Sequence, residues 1–267
     1  MCHDLGLLLA RCGTPTNPPS KFFQFLIGHI FQHLKSKMKD TKAILNKLLE
    51  IKERFPDGLP EGAVNIGCDV KKLYPSIDSL IALAAVDEWL RLYPNPDGLS
   101  RELLLDLGKI CVEENSCEFL NRYFCPNSGT ATGPAHACDL ADIFMGELDK
   151  TVVQQFEEKN IETTGWTIYR DDGWTVALNG IGDVPVIEDV LQNLHPDIKW
   201  EINPRGPTVP PRILADGSVQ DMTVLEHLDL SLHFVENHIE TDVYAKDIPI
   251  YISKNSCHPP LIFPSIV

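Results

Sequence analysis

Eleven residues from Trp166 to Val176 (WTIYRDDGWTV) constrain the fold of this chain more than any other stretch. Apolar residues at positions 166, 168, 174 and 176 are typical of β-strands, and the Asp-Gly pair at 172–173 favours a hairpin turn. The pattern predicts a tight β-hairpin with two neighbouring carboxylates, Asp171 and Asp172, at its tip. Adjacent acids on a rigid turn repel each other, so they indicate either a site for a divalent cation or a solvated Asp-Asp-Gly turn.

A third acid stands at the end of an earlier strand pattern. The run 64–70 predicts a β-strand that ends near Asp69, and Tyr74 follows five positions later. A strand-end carboxylate is the partner that an acidic hairpin needs to complete a two-metal site. Taken singly, Asp69 is also compatible with an ordinary strand-end acid, and Tyr74 with a core aromatic.

Small residues separate these two stretches. The sequence SGTATGP at 128–134 leads into a long helical pattern, and Gly129 and Gly133 allow backbone to approach a ligand closely. The apolar stripe from position 137 to 152 predicts a long helix packed across a sheet, with its acids in solvent. Those acids are Asp139, Asp142, Glu147 and Asp149.

In this order the stretches resemble a reverse transcriptase, and more narrowly the group related to Penelope-like retroelements. The residues that carry the resemblance are CDVKKLYPSID at 68–78, SGTATGPAHACDLADIFMGELD at 128–149, YRDDG at 169–173 and LDLSLHFVENHIETDVY at 228–244. The sequence departs from the family's pattern at two positions. Arg170 stands where reverse transcriptases more often have a small or apolar residue, and Asp142 stands where they often have Asn.

The resemblance implies an α+β fold with a polymerase palm-like antiparallel sheet and packed helices. It divides the chain into partial fingers and connecting helices at residues 1–60 and a palm-like reverse transcriptase domain at residues 61–267, and we expect the thumb to be missing. The implied function is that of an RNA-directed DNA polymerase fragment of a retroelement, which extends a DNA primer on an RNA template with deoxynucleotides by two-metal nucleotidyl transfer.

The same resemblance assigns roles to individual residues. Asp69, Asp171 and Asp172 would be catalytic and would hold two Mg²⁺ ions, with Asp69 and Asp171 bridging the ions, Asp172 assisting and the Val70 carbonyl holding the ion on the nucleotide side. Tyr74 would lie beneath the incoming sugar and exclude a 2′-hydroxyl. Gly129 and Gly133 would lie against the nascent base pair.

The charge balance is awkward for a protein that holds a polyanion. The chain has 23 basic and 38 acidic residues, a formal net charge of −15. Residues 1–60 carry 9 Lys or Arg against 5 acids, so the predicted helix at 41–54 presents either a solvated basic face or a weak template contact. We therefore expect weak, salt-sensitive binding to nucleic acid.

Two other functions stay open at this point. A non-catalytic, degenerate palm-like relic that binds nucleic acid or protein fits the acidic charge. A two-metal nuclease fits the carboxylates but not the glycine stretch. Eight cysteines without a C-x-x-C pair indicate reduced thiols and an intracellular protein of the nucleus or cytoplasm, and no apolar run is long enough to suggest a membrane span.

The remaining patterns predict supporting elements. Ser20 is the predicted N-cap of a helix with Phe22, Leu26 and Ile30 on its buried side. Further helices are predicted at 41–54, 79–92, 101–113 and 184–194, strands at 119–124 and 198–202, and a second hairpin at 228–244, whose His233 and His238 are either solvated or metal ligands.

Overall fold

A computed structural model gives the fold and describes residues 17–113, 117–119, 122–124, 129–130 and 133–244. The helices are α1 (Asn17–Ile27), α2 (Thr41–Arg54), α3 (Leu73–Ser76), α4 (Ser79–Leu92), α5 (Arg101–Glu113), α6 (Ala137–Glu158) and α7 (Val184–Gln192), with 3-10 turns at Gly28–His33 and Ile181–Asp183. The strands are β1 (Val64–Lys71), β2 (Cys117–Phe119), β3 (Arg122–Phe124), β4 (Thr163–Tyr169), β5 (Asp172–Ala177), β6 (Lys199–Arg205), β7 (Arg212–Ile213), β8 (Val219–Gln220), β9 (Val224–His227), β10 (Leu230–Val235) and β11 (His238–Val243).

Four of these strands form the main sheet, in the order β4-β5-β1-β6. Each neighbouring pair is antiparallel, and β1 lies between β5 and β6. The predicted α+β fold, with the Asp69 strand and the acidic hairpin in one antiparallel sheet, is therefore confirmed. A separate three-stranded sheet has the order β11-β10-β9.

The main sheet is buried on both faces, and every residue of β1 except Asp69 and Lys71 is accordingly buried. One face of β1, including Ile66 and Val70, belongs to the large core that contains the buried side of α6. The other face carries Trp174 of β5, which packs in a second core with Ile44 of α2 and Leu232 of β10. Burial on two sides fixes the register, because a shift by one residue would exchange the two faces.

Three predicted helices have the bounds that the sequence indicates. α2, α4 and α5 begin and end at the predicted residues. Asp40 caps α2 by accepting a hydrogen bond from the Ala43 amide at 3.0 Å, and Asp78 caps α4 by accepting from the Leu80 amide at 2.8 Å. In the described part of the chain, no helix is both long and apolar enough to cross a membrane.

The predicted start of the first helix is wrong. Ser20 lies inside α1 and is buried, with its hydroxyl oxygen 2.9 Å from Nδ1 of the buried His136. Phe22 is 52% exposed, and Phe23 takes the core position instead. The cause is tertiary packing. α1 packs on α5, and the side of α1 that carries Ser20 faces His136, the residue before α6.

The prediction that the acids of α6 are solvated is wrong for two of them. Asp142 and Asp149 are buried, whereas Glu147 pairs with Lys150 at the surface. Positions 142 and 149 are two helical turns apart on the same face as Met145, which is also buried. Asp149 accepts a hydrogen bond from the Trp166 indole of β4, and Asp142 pairs with Lys37. Long-range partners therefore make burial of both acids possible.

Candidate active site

The acidic turn lies two residues earlier than the Asp-Gly pair predicts. β4 ends at Tyr169 and β5 begins at Asp172, so the two turn residues are Arg170 and Asp171. Arg170 has a φ of 56°, the left-handed conformation that a two-residue hairpin turn requires at its first position. Gly173 is a strand residue, where a Cβ atom would lie 3.3 Å from that of Cys68. Gly173 therefore allows β5 to pack closely against β1 and is not part of the turn.

Strand register brings the three candidate acids to one end of the sheet. Asp69 of β1 lies directly opposite Asp172 of β5, and on its other side it lies opposite Glu201 of β6. The Val70 amide donates a 2.9 Å hydrogen bond to the Asp171 carbonyl, which fixes the turn beside β1. Residues paired directly in an antiparallel sheet share a face, so the side chains of Asp69 and Asp172 are neighbours.

The acids interact strongly enough to affect protonation. Burial raises the pKa of Asp69 above its ordinary value, and the nearby charges of Asp171 and Glu201 raise it further. A side-chain hydrogen bond with Asp172 and the charge of Lys71 act in the opposite direction. A hydrogen bond between two carboxyl groups requires a proton on one of them, because ionised carboxylates only accept. A cation between the two groups would serve the same purpose as that proton.

The donor chemistry of this end of the sheet fits Mg²⁺, which prefers carboxylate and carbonyl oxygens. As they stand, no three His, Cys, Asp or Glu side chains within the described ranges form a group that could hold a metal ion. The neighbouring acids Asp69 and Asp172 and the adjacent Asp171 supply suitable oxygens, and the charges of Asp171 and Glu201, which raise the pKa of Asp69, favour added positive charge at this end of the sheet. Binding would have to draw these side chains together.

Tyr74 of α3 is half-buried and held at both ends. Its hydroxyl lies 3.3 Å from the Cys138 sulfur at the start of α6, and its carbonyl accepts a 2.8 Å hydrogen bond from the Thr130 amide. Burial, followed by the contact with Cys138, raises the pKa of the Tyr74 phenol. The ring is therefore a neutral group in a defined position between α3 and α6.

The two candidate glycines adopt backbone conformations that L side chains rarely adopt. Gly129 has a φ of 85° and Gly133 a φ of 126°. A Cβ atom on Gly129 would lie 2.7 Å from the Pro75 carbonyl oxygen, and the Ser79 hydroxyl donates to the Gly129 carbonyl at 3.2 Å. The close approach that Gly129 permits in this structure is thus to the segment that follows Tyr74.

Sequence reasoning missed a group of buried and partly buried charges on the α6 side of the hairpin, which we call the charge cluster: Lys37, Asp139, Asp142 and Arg170. Lys37 and Asp142 form a salt bridge in which their side chains are 6% and 4% exposed. Arg170 contributes to the electrostatic environment of Asp139 and Asp142. The sequence contained one signal that these acids are buried: positions 142 and 149 share a helical stripe with Cys138 and Met145.

The backbone beside Lys37 is attached to the hairpin. The Ile168 amide donates to the Ser36 carbonyl at 2.7 Å, and the Met38 amide donates to the Ile168 carbonyl at 2.8 Å. Residues 36–38 thus run parallel to β4 immediately before the turn. The Lys37 ammonium lies 5.3 Å from the centroid of the Tyr169 ring, within range of a cation–π interaction.

Comparisons with known proteins give matches in structure only. No protein-family model and no curated protein matches the chain. An apo telomerase from Candida tropicalis, truncated from its C-terminal domain, matches with a TM-score of 0.62 and 11% identity over 84% of this chain and 45% of that one. A telomerase from Candida albicans in complex with a TWJ fragment of telomeric RNA matches with a TM-score of 0.63 and 8% identity over 87% of this chain and 38% of that one.

A viral polymerase is similar as well. The insertion loop deletion mutant of the RNA-dependent RNA polymerase of a human picobirnavirus matches with a TM-score of 0.51 and 13% identity, over 86% of this chain and 41% of that one. The chain therefore spans less than half the length of these structures. At such low identity the likeness concerns the fold alone. The chain has a mixed helical and antiparallel-sheet fold similar to the palm-containing folds of telomerases and viral RNA-dependent RNA polymerases.

Proposed function

We propose that this chain is the palm-containing part of a reverse transcriptase related to those of Penelope-like retroelements. In this proposal residues 1–60 are partial fingers and residues 61–267 the palm-like domain, and the chain extends a DNA primer on an RNA template inside the cell. The observation that carries the proposal is the cross-strand pairing of Asp69 with Asp172, beside a turn in which Asp171 is bonded to Val70. The RNA fragment bound to the Candida albicans telomerase supports RNA as a partner.

The proposed roles follow from the positions of these residues. Asp69, Asp171, Asp172 and the Val70 carbonyl would hold two Mg²⁺ ions, which when bound activate the primer 3′-hydroxyl and neutralise charge on the transferring phosphoryl group. The sheet fixes the backbone register of Asp69 and Asp172, so metal binding would require movement of the acidic side chains but not of the strands. Tyr74 would contact the sugar of the incoming deoxynucleotide, and Gly129 and Gly133 would bring backbone close to the new base pair.

Primer extension on an RNA template with Mg²⁺ tests the proposal. Asp69→Asn and Asp171→Asn should each lower the rate about a thousandfold or more, since each keeps the shape but removes a negative ligand. Asp189→Asn is the matched control, because Asp189 is a surface acid of α7 that forms an exposed salt bridge with Lys159. An active chain that tolerates Asp171→Asn with little loss of synthesis would contradict the proposed site. A folded wild-type chain that binds primed template but never extends it favours the non-catalytic relic.

Tyr74→Ala should behave differently from the acid variants. It removes bulk and no ligand, so synthesis with deoxynucleotides should stay measurable while ribonucleotides are incorporated more readily. The measurement is the ratio of kcat/KM for a deoxynucleotide to that for the matching ribonucleotide, with Tyr74→Phe as control. An unchanged ratio in the Ala variant would show that Tyr74 does not contact the sugar.

A further inference from the structure

Arg170 combines an unusual backbone with an unusual neighbourhood. It is the first residue of the turn and has a φ of 56°, which favours Gly or Asn over a residue with a long side chain. The next two residues are the acids Asp171 and Asp172. A guanidinium is the cation best shaped to pair with a carboxylate, so an arginine at this position competes with any metal ion for those acids.

The contacts of Arg170 place its guanidinium on the α6 side of the hairpin. Its central carbon lies 5.4 Å from the centroid of the Tyr169 ring, and its electrostatic neighbours include Cys138, Tyr74 and Asp142. Together with Lys37, Asp139 and Asp142 it lines a cavity of about 710 Å³. Two of these neighbours, Cys138 and Asp142, belong to the first turns of α6, so the Asp142 carboxylate is a nearby counter-charge for Arg170.

Asp142 is the buried anchor of this arrangement. It forms the salt bridge with Lys37, and Arg170 lines the same cavity, close enough for its charge to act on the same carboxylate. Burial raises the pKa of Asp142 and lowers that of Lys37, so each needs the other's charge to remain ionised. The Lys37 segment is bonded to Ile168, one residue before Tyr169. Asp142 is thereby connected to the turn through both of its partners.

The two departures from the reverse transcriptase pattern, Arg170 and Asp142, thus carry opposite charges and line the same cavity. Arg170 adds a positive charge to the turn, and Asp142 supplies a negative charge on the facing helix, where an Asn would supply none. We propose that Asp142 is a positioning residue that holds the Arg170 guanidinium against α6 and so keeps Asp171 and Asp172 available for a divalent cation. This inference rests on the proposed function, which assigns those two acids to the metal ions.

Binding of Mn²⁺ to the whole chain, followed by electron paramagnetic resonance without primer or nucleotide, tests the inference independently of synthesis. Asp142→Asn should weaken Mn²⁺ binding about tenfold, because Arg170 is released to pair with the hairpin acids. The double variant Asp142→Asn with Arg170→Gln should recover wild-type affinity, since the competing cation is gone. Glu147→Gln is the control, as it removes an acid from the same helix in an exposed pair.

Each outcome decides the inference. Weak binding in both Asp142→Asn and the double variant would overturn it, because the loss would then reflect general disruption. Wild-type affinity in Asp142→Asn, or a wild-type chain that binds no Mn²⁺ at all, would overturn it as well. If Asp142→Asn fails to fold, Lys37→Met with Asp142→Leu makes the same comparison without leaving a buried lysine charge unpaired. A wild-type chain that binds Mn²⁺ through Asp171 yet extends no primer would refute the proposed function alone.

Discussion

The two sides of the acidic hairpin handle charge in opposite ways. On the α6 side, the charge cluster contains two cations and two acids, and its salt bridge between Lys37 and Asp142 is almost fully buried. At the end of β1, Asp69 faces three other acids, and Lys71 is the cation that acts on it there. One side is balanced by its own residues, whereas the other has an excess of negative charge.

This difference separates charges that are neutralised within the fold from charges that an added cation would neutralise. Buried ions must be paired, since desolvation is costly, so a balanced cluster is the expected state of a structural site. An excess of one sign in a partly exposed position raises the free energy of the folded chain and is relieved when a ligand of opposite sign binds. Stability measurements in the absence of divalent cations can therefore separate the two sides.

The largest expected effect belongs to the balanced side. Asp142→Asn leaves the buried Lys37 charge without a counter-ion, and we expect it to lower the free energy of unfolding by about 3 kcal/mol. Urea denaturation in the presence of EDTA measures this loss. The double variant Lys37→Met with Asp142→Leu should recover most of it, because it removes both charges and keeps apolar volume. If Asp142→Asn costs no more than an exposed substitution, the pair is not structural.

A smaller effect of opposite sign is expected at the acidic side. Asp172→Asn removes one of two acids that lie directly opposite each other, and its amide can still donate to Asp69. Metal-free stability should rise by about 0.5 kcal/mol. The gain should disappear when Mg²⁺ is added, since the wild-type acids are then neutralised. A variant that is less stable than the wild type without metal would mean that the acids do not repel each other.

The smallest effect concerns pH. The pKa of Asp69 is raised in the folded chain, above the ordinary value of 3.8, by burial and by Asp171 and Glu201. The stability linked to Asp69 is therefore fully present below pH 3.8 and is lost as the pH rises through the raised pKa. Asp69→Asn should remove this loss, so its stability relative to the wild type should increase with pH.

Denaturation at several pH values between about 4 and 8, with EDTA present, measures that difference. Asp189→Asn serves as the control, since Asp189 belongs to the exposed Lys159 pair. A difference between Asp69→Asn and wild type that stays flat over this range would show that Asp69 titrates as it does in the unfolded chain. The neighbouring acids would then have no effect on Asp69, and the end of β1 would carry no unfavourable excess of negative charge.

Features with local causes could be predicted from the sequence. The first residues of α2 and α4 follow from the capping acids Asp40 and Asp78, which act within three residues. The alternation around the acidic hairpin and the apolar run before Asp69 were sufficient to predict one antiparallel sheet. The second hairpin was also found, with Glu236 and Asn237 at its turn in left-handed conformations.

Features with distant causes could not be predicted. The turn at Arg170 depends on how Tyr169 and Asp172 pair, and Asp-Gly alone suggested a different position. Burial of Asp142 depends on Lys37, which is 105 positions away in sequence. For the site, the sequence named the three acids and the register brings Asp69 and Asp172 together, but their metal-binding role stays a prediction.

The short parallel contact of residues 36–38 with β4 also affects how the protein behaves in solution. β4 is one of the two edge strands of the main sheet, and an edge strand offers unpaired amides and carbonyls to other chains. Both polar backbone groups of Ile168 are occupied by Ser36 and Met38. A fragment that began at residue 61 would lack this cover and the packing of α2, and its sheet would be open to self-association by strand pairing.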